Sequence, residues 1–390
     1  MKWPECAAKR SHMSMALRAS GREATEFEKR LIAAVASELT PAAARKLAFL
    51  PRLESVRGIA AVAVVLYHVA PQFIETNVTG MAPVVMFFVL SGFVLARSLQ
   101  NDFNPLRFFR HRVFRLLPAA AATVLLLTVL HHGFGFYVGY LTSFDPLNVL
   151  LNALMIRSDI NGVMWSMTVE CFATPLILWC DWMCRRGQIA PLRVLVVVLF
   201  ALSFVGHYAH LLGGFTNLAP LYAFVIGVLL HHRGASLVAR LTPRTGAILT
   251  LAAFALFLVC ALRKQNPIVI MLECSGASAL IMMIAFSDWI RPFRVLDAPI
   301  VRFYGRISYS FYLLHPIGIA VAFRLLDTNS LPAGAAIAAT GVTAVAVTTA
   351  MAWPSWRLIE KPFVALGRGF DGRRADAAMP IAAQPEQALS

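Results

Sequence analysis

The sequence predicts an all-α, polytopic membrane protein with about ten transmembrane helices and both termini in the cytoplasm. Three observations support this prediction. Hydrophobic residues make up 58% of the 390-residue chain and charged residues only 14%, whereas a soluble domain is about a quarter charged. Apolar runs long enough to cross a bilayer recur along the chain. Lys and Arg concentrate in the segments between those runs, mostly on one predicted side.

The ten predicted spans follow from the length of chain that a bilayer requires, which is about 20 mostly apolar residues. They lie at 57–74, 81–99, 115–132, 163–182, 191–210, 217–232, 245–262, 267–286, 306–325 and 333–353. The loop at 133–162 is the longest, and it contains a short apolar segment, LNVLLNALMI, that favours an interfacial helix.

The orientation follows from the basic residues. With the N-terminus inside, nearly all Lys and Arg face the cytoplasm, and those on or near the other side are Arg157, Arg263, Lys264 and Arg324. The net charge of +15 could indicate a nucleic-acid partner. The charges lie in short loops between apolar runs, however, as is typical of loops beside anionic lipid. The bilayer is therefore the expected partner, and nucleic acid is excluded.

Three regions are predicted along the chain. Residues 1–50 form a cytoplasmic extension with an amphipathic helix, 51–363 form the membrane domain, and 364–390 form a polar, disordered cytoplasmic tail. The six cysteines show no paired CxxC sets and no metal-ligand spacing, so no metal is expected.

The first span carries two residues that are costly in a bilayer, Arg57 and His68. Eleven residues correspond to about three helical turns, so both lie on nearly the same face, with His68 about 16 Å deeper and near the bilayer midplane. A functional pair is one interpretation. The alternatives are that Arg57 anchors the helix at the cytoplasmic surface and that His68 bonds a neighbouring helix.

Glu170, in the segment MWSMTVECF, lies at nearly the same predicted depth as His68. A carboxylate beside an imidazole orients the ring and raises its basicity, so the two are predicted to form a His–acid pair. The alternative is a buried glutamate that satisfies a helix–helix contact.

Two further segments carry polar residues. GRISYSFYLLHP places Ser308 and His315 on one face, seven residues apart, before the helix-breaking Pro316. RFFRHRVFRLLP places Arg112 and Arg115 on one face of a cationic inner rim, which could hold a phosphorylated ligand through bidentate contacts. From the residues alone, binding of lipid phosphate is the favoured explanation of that rim.

Taken together, these segments resemble the integral-membrane acyltransferase family three, which includes bacterial O-antigen and nodulation-factor O-acetylases. The similarity extends over 53–363. The segments that carry it, in family order, are LESVRGIAAVAVVLYH, MFFVLSGFVL, RFFRHRVFRLLP, WSMTVE, GRISYSFYLLHP and RLIEKPF.

The resemblance implies a ten-helix enzyme of the bacterial inner membrane. Its donor would be cytoplasmic acetyl-CoA or another acyl-CoA, and its acceptor a hydroxyl of an extracytoplasmic carbohydrate or lipid-linked glycan. Some family members fuse a hydrolase-like domain to the membrane part, which this chain does not show, so a separate periplasmic partner is an open expectation.

The resemblance also assigns expected roles. His68, oriented by Glu170, would act as general base or carry the acyl group, and Arg57 would steer the thioester. Residues expected to grip the CoA phosphates are Arg110, Arg112 and Arg115. Residues expected to line the substrate cavity are Trp165, Ser166, Ser308, Tyr309 and His315.

Two other function classes remain open at this stage. Intramembrane His, Glu and Arg with a Pro-broken helix also describe a proton-coupled transporter of a small molecule or glycan, but such carriers usually show internal repeats and none is apparent. A membrane sensor or scaffold would not require the polar residues to converge at one depth.

Overall fold

The computed structural model describes residues 50–76, 80–100, 103–138, 142–205, 208–211, 214–218, 220–328 and 330–377. The amphipathic helix predicted in the N-terminal extension and the last part of the predicted tail lie outside the described residues. Those regions therefore stay predictions.

The described part of the chain contains twelve α-helices and one short hairpin. The helices are α1 (Leu50–Val69), α2 (Met81–Ser98), α3 (Pro105–Phe134), α4 (Pro146–Ala153), α5 (Trp165–Arg185), α6 (Ala190–Leu202), α7 (Leu221–Val238), α8 (Pro243–Ala261), α9 (Pro267–Phe286), α10 (Pro299–Leu325), α11 (Ala333–Ser355) and α12 (Lys361–Ala377). Strands β1 (Tyr208–Leu211) and β2 (Gly214–Asn217) pair antiparallel. Short 3₁₀ segments are Ala70–Gln72, Gly162–Met164 and Arg291–Asp297, and a π-helical segment, Trp356–Glu360, joins α11 to α12.

The prediction of an all-α polytopic membrane protein is confirmed. Each of the ten predicted spans overlaps a helix, and within the described residues eight helical segments are long and apolar enough to cross a membrane. The other two are α6, which has only 13 residues, and α10, which has 27 residues but carries three arginines.

Several span boundaries were predicted wrongly, and α3 and α10 begin ten and seven residues before the predicted starts of their spans. The fifth span was expected to reach residue 210, but α6 ends at Leu202 and the hairpin follows. At that end the Ser203 hydroxyl donates to the carbonyl of Phe200, a local bond that competes with helix continuation. The first helix begins at Leu50, seven residues before the predicted start, and His68 lies in its last turn.

The early start of α1 has a visible cause at its inner end. Arg52 donates to the Asp297 carboxylate at 2.6 and 2.9 Å, and the Ser55 hydroxyl donates to the carbonyl of Leu296 at 2.6 Å. These bonds tie the first turn of the helix to the 3₁₀ segment before α10. The helix is therefore held in register beyond its apolar stretch.

The predicted disordered tail is also corrected as far as residue 377, because α12 is helical. Its Phe370 ring packs against Phe114 of α3 with 5.7 Å between centroids, and the Arg110 guanidinium lies over Phe370 at 5.9 Å. An aromatic side chain that packs against a neighbouring helix provides a tertiary contact that the polar composition of the tail does not predict.

Two helix crossings bring the backbones into direct contact. A Cβ atom on Gly58 of α1 would overlap the backbone of Gly305 in α10, and one on Gly92 of α2 would overlap the backbone at Phe224 in α7. Glycine permits such close approach between membrane helices. The first crossing matters for the site, because it sets Arg57 beside the segment of α10 that carries Ser308.

The buried apolar residues form two clusters. One is built mainly from α2, α5, α7 and α9, and the other mainly from α1, α3, α10 and α11. Polar residues from α1, α2, α3, α5 and α10 meet between these clusters, and they form the candidate site.

Candidate active site

A small pocket lies between α1, α2, α3, α5 and α10. We call it the inner pocket, because the predicted orientation places this end of the helices toward the cytoplasm. Its volume is about 50 Å³. Its polar lining consists of Arg57, Ser91, Arg112, Arg115, Glu170, Ser308, Tyr309 and Tyr312. Three guanidinium groups therefore converge in a space that holds one or two water molecules, since a water occupies about 30 Å³ in the liquid.

One of these arginines is paired with a carboxylate. Arg112 of α3 donates to Oε1 of Glu170 at 2.7 Å, and the Ser91 hydroxyl donates to the same oxygen at 2.9 Å. Arg112 and Glu170 are each 8% exposed. Removing either charge would leave the other buried without its counter-ion, which is a costly state. This pair therefore fixes α3 against α5 at the pocket.

The other two arginines keep their charge available. Among the described residues, neither Arg57 nor Arg115 makes a salt bridge, and both are partly buried. Each repels the other, and Arg57 is attracted by Glu170 and by Glu360. A pocket with uncompensated guanidinium groups suits an anionic ligand with oxygens that can accept bidentate bonds.

A much larger outer cavity lies at the other end of α1 and α10, with a volume of about 1000 Å³. Its polar lining consists of His68, Gln72, Ser158, Asp159, Asn161, Gln265, Asn266, His315 and Arg324. Its aromatic lining consists of Tyr137, Trp165, Tyr312 and Phe323. Aromatic faces beside amide and carboxylate groups can hold a polar organic molecule with apolar ring faces.

Two histidines stack at the deep end of this cavity. The rings of His68 and His315 are 5.4 Å apart between centroids and inclined by 27°. His68 is exposed to the cavity, whereas His315 is fully buried. Nδ1 of His315 donates to the carbonyl of Tyr312 at 2.6 Å, and Nε2 has no hydrogen-bond partner among the described residues. The backbone bond therefore selects the tautomer in which Nε2 keeps its lone pair.

Tyr312 separates the two spaces. Among the described residues it is the only one that lines both the inner pocket and the outer cavity. Its hydroxyl shares a hydrogen bond of 2.9 Å with Ser166 and donates to the carbonyl of Val163 at 3.1 Å. Its ring contacts Phe87 edge-on, with 5.8 Å between centroids. A bonded, packed aromatic residue thus forms the partition.

The predicted pairing of Glu170 with His68 is corrected. Glu170 lines the inner pocket and His68 the outer cavity, and the carboxylate is bonded to Arg112 and Ser91. A buried carboxylate is stabilised most by a cation, and α3 supplies one at the same depth. The ring that lies against His68 belongs to His315 instead.

The other predicted residues divide between the two spaces. Arg57, Arg115, Ser308 and Tyr309 line the inner pocket, and the Tyr309 hydroxyl donates to the carbonyl of Leu116 at 2.7 Å. Trp165 and His315 line the outer cavity, and Ser166 lies behind the partition. Arg110 lies apart from both linings, against the ring of Phe370 in α12.

Three functional candidates were missed from the sequence. Ser91 lies in MFFVLSGFVL and Glu360 in RLIEKPF, two segments that carried the family resemblance without a proposed role. Tyr312 follows Tyr309 by three residues in GRISYSFYLLHP, and helical periodicity does not tell the two tyrosines apart. Only the contacts across helices distinguish the partition residue from its neighbour.

The comparison with protein-family models decides the family. The model of an acyltransferase domain matches residues 50–353. The chain belongs to acyltransferase family three. Searches of curated proteins and of solved structures found no match. The acyltransferase domain thus includes both the inner pocket and the outer cavity, and it ends just before the π-helical segment.

Proposed function

We propose that this membrane acyltransferase transfers an acyl group, most simply acetyl, from cytoplasmic acyl-CoA to a hydroxyl of an extracytoplasmic or lipid-linked carbohydrate. The observation that carries the proposal is the arrangement along α1 and α10, where an arginine-rich pocket and a histidine pair are separated by Tyr312. Arg57 and His68 are eleven residues apart on α1, or about 16 Å along the helix axis. That distance suits an extended thioester arm.

The donor binds on the inner side. Arg57 and Arg115 offer guanidinium forks to phosphate oxygens of CoA, whereas Arg112 is held by Glu170 and shapes the pocket. The inner pocket is too small for a pantetheine arm, so donor binding requires side chains around Tyr312 to move. The acyl end then passes the partition toward His68.

The chemistry occurs at the histidine pair. His68 takes the proton of the acceptor hydroxyl as its oxygen attacks the thioester carbonyl. The new C–O bond forms, the C–S bond breaks, and the thiolate receives the proton to leave as CoA. His315, fixed by its bond to the Tyr312 carbonyl, packs against the His68 ring and limits its rotation.

The acceptor enters from the outer side, which we assign to the periplasmic face of a bacterial inner membrane. Trp165 and Phe323 offer apolar faces to a sugar ring, and Asp159, Asn161 and Gln265 offer hydrogen bonds to its hydroxyls. The size of this cavity accommodates a glycan end or a lipid-linked sugar. A separate periplasmic protein could present that acceptor.

The decisive experiment follows the acyl group. Purified full-length protein in nanodiscs receives acetyl-CoA with a radiolabelled acetyl group and a lipid-linked glycan fraction, and released CoA and labelled glycan are measured. We expect His68→Ala to lower both by about 10²–10⁴-fold, the usual contribution of a general base. His132→Ala, at an exposed histidine of α3, is the matched control and should be unchanged.

Two results would overturn the proposal. Transfer that persists in His68→Ala removes the catalytic assignment. Movement of labelled acetyl groups across sealed proteoliposomes without any labelled glycan would favour a carrier.

A further inference from the structure

The inner pocket has a second acidic neighbour that comes from outside the matched domain. Glu360 closes the π-helical segment Trp356–Glu360, whereas the family match ends at residue 353. The segment has a wide turn, since the backbone N–H of Lys361 donates to the carbonyl of Trp356. Single π-helical turns are rare in proteins as a whole, but many of those that occur lie at functional sites, where they change the direction of side chains.

The Glu360 side chain is directed into the protein. It is 6% exposed, and its Oε2 accepts a hydrogen bond of 2.9 Å from the Ser310 hydroxyl of α10. The Ser355 hydroxyl in turn donates to Ser310 at 3.3 Å. Two hydroxyl groups in series thus fix the carboxylate. A buried carboxylate held this way costs free energy unless cations lie close by.

Two arginines of the inner pocket, which make no salt bridge within the described part of the chain, lie in the electrostatic field of this carboxylate. Among the described residues Glu360 makes no salt bridge with either guanidinium group, so it attracts Arg115 and Arg57 through longer-range electrostatics, whereas those two guanidinium groups repel one another. Without an anion between them, like charges in a poorly solvated pocket move apart. A misplaced guanidinium loses the fork geometry that bidentate anion binding requires.

We propose that Glu360 is a positioning residue, which holds Arg57 and Arg115 in the orientation that receives the phosphate groups of the donor. The inference rests on the proposed function, since it assumes that an anionic acyl donor binds in the inner pocket. It also assigns a role to the segment after α11. The π turn of that segment brings Glu360 to Ser310 of α10, and α12 anchors the segment against α3 through Phe370 and Phe114.

The test measures donor binding without an acceptor. Full-length protein in nanodiscs is titrated with CoA and with pantetheine, which lacks the phosphates, and the ratio of the two Kd values is compared between variants. For Glu360→Gln we expect CoA binding to weaken about tenfold while pantetheine binding changes little. Glu360→Asp, which keeps the charge, should recover most of the ratio.

Three further variants keep the result interpretable. Ser310→Ala removes the hydroxyl that fixes the carboxylate and should weaken CoA binding in the same direction, about threefold, even if Glu360→Gln does not fold. Glu75→Gln neutralises an exposed glutamate, and Leu358→Ala alters an exposed side chain of the π turn, so both should leave the ratio unchanged.

The possible outcomes distinguish a failure of the positioning role of Glu360 from a failure of the proposed acyl-CoA binding. If the wild-type protein binds neither CoA nor pantetheine, the donor assignment fails and the inference falls with it. If the wild type prefers CoA and Glu360→Gln binds CoA equally well or more tightly, the donor assignment stands and the positioning role is wrong. Tighter binding would show that Glu360 acts only by lowering the positive potential of the pocket.

Discussion

The inner pocket and the outer cavity lie on the same two helices but differ in charge and size. The inner pocket measures about 50 Å³ and is lined by three arginines, whereas the outer cavity measures about 1000 Å³ and its lining includes two histidines. Charges at the inner end are fixed by carboxylates and serines from neighbouring helices. Polar groups of the outer end instead face an open space.

Under the proposed function, this difference allows the two ends to bind chemically different substrates. A tight pocket with excess positive charge selects by charge and geometry, as phosphate recognition requires. A wide cavity with amide and aromatic groups selects by shape and hydrogen bonding. Tyr312 keeps the two apart, so a donor and an acceptor can approach from opposite sides of the membrane and meet at its ring.

The largest expected effect belongs to the inner end. Glu170→Gln leaves Arg112 buried without its counter-ion, and we expect the free energy of unfolding to fall by about 3–5 kcal/mol. The double variant Arg112→Met with Glu170→Leu replaces the pair by apolar groups and should recover most of that stability. CoA binding should be lost in both the single and the double variant, because the pair shapes the pocket. Thermal unfolding in nanodiscs and CoA titration measure the two effects separately.

A surface ion pair is the control for this comparison. Arg302 donates to Asp297 at 3.0 Å, and its side chain is 43% exposed. Arg302→Met should therefore cost below about 1 kcal/mol. An equal loss in Arg302→Met and Glu170→Gln would contradict the view that the inner pair is the structural centre of the pocket.

The next effect belongs to the outer end. In His315→Asn the amide nitrogen can still donate to the Tyr312 carbonyl, but the Nε2 position and the stacked ring are lost. We expect kcat to fall about 100-fold with the CoA affinity unchanged, because the donor phosphates bind at the other end. Steady-state kinetics with CoA titration tests this split. A parallel loss of CoA binding would show that the two ends are not independent.

The partition gives a third, smaller effect. Tyr312→Phe keeps the ring but removes the bonds to Ser166 and Val163, which should cost about 1 kcal/mol of stability. Tyr312→Ala removes the barrier itself, so water from the outer cavity should reach the thioester. The ratio of CoA released to acyl groups transferred should then rise well above one. A ratio that stays near one in Tyr312→Ala would mean that another residue separates the two spaces.

The sequence alone predicted the helices of this fold well, because each long apolar run is a local property of the chain. The division of the site was not predictable in the same way. Depth along a helix axis matched Glu170 with His68, but depth carries no information about which helices are neighbours. Arg112 lies 58 residues before Glu170, and only the packing of α3 on α5 brings them together.

Glu360 illustrates the same limit at the end of the domain. The segment RLIEKPF is recognisable, yet a regular helix through it would give no reason for a buried carboxylate. The Glu360 carboxylate at the end of the π turn is bonded to Ser310 of α10, which lies 50 residues earlier in the chain. Local sequence therefore fixes the elements, and contacts distant in sequence decide which polar groups meet.

The smallest effect concerns the rim of the outer cavity. Asp159 accepts hydrogen bonds from Asn152 at 2.7 Å, from Asn148 at 2.8 Å and from the Thr142 hydroxyl. Partial burial raises the pKa of the Asp159 carboxyl, but these donors outweigh it, so the pKa lies below its ordinary value. The ionised carboxylate thus holds α4 to the loop that precedes α5.

The sign of the pH dependence follows from the lowered pKa. The stabilisation is present at pH values above the unfolded pKa, about 3.9, and is lost as the pH falls through the lower folded value. Asp159→Asn should therefore lower the free energy of local opening of α4 by about 1 kcal/mol at pH 7, which is measured as faster hydrogen exchange of the α4 amides. The difference in exchange from the wild type should shrink toward pH 3. Because no inner-pocket residue takes part, CoA binding should be unaltered. A difference in exchange that grows as the pH falls would contradict the lowered pKa of Asp159. A loss of CoA binding in Asp159→Asn would show that the outer rim and the inner pocket are coupled.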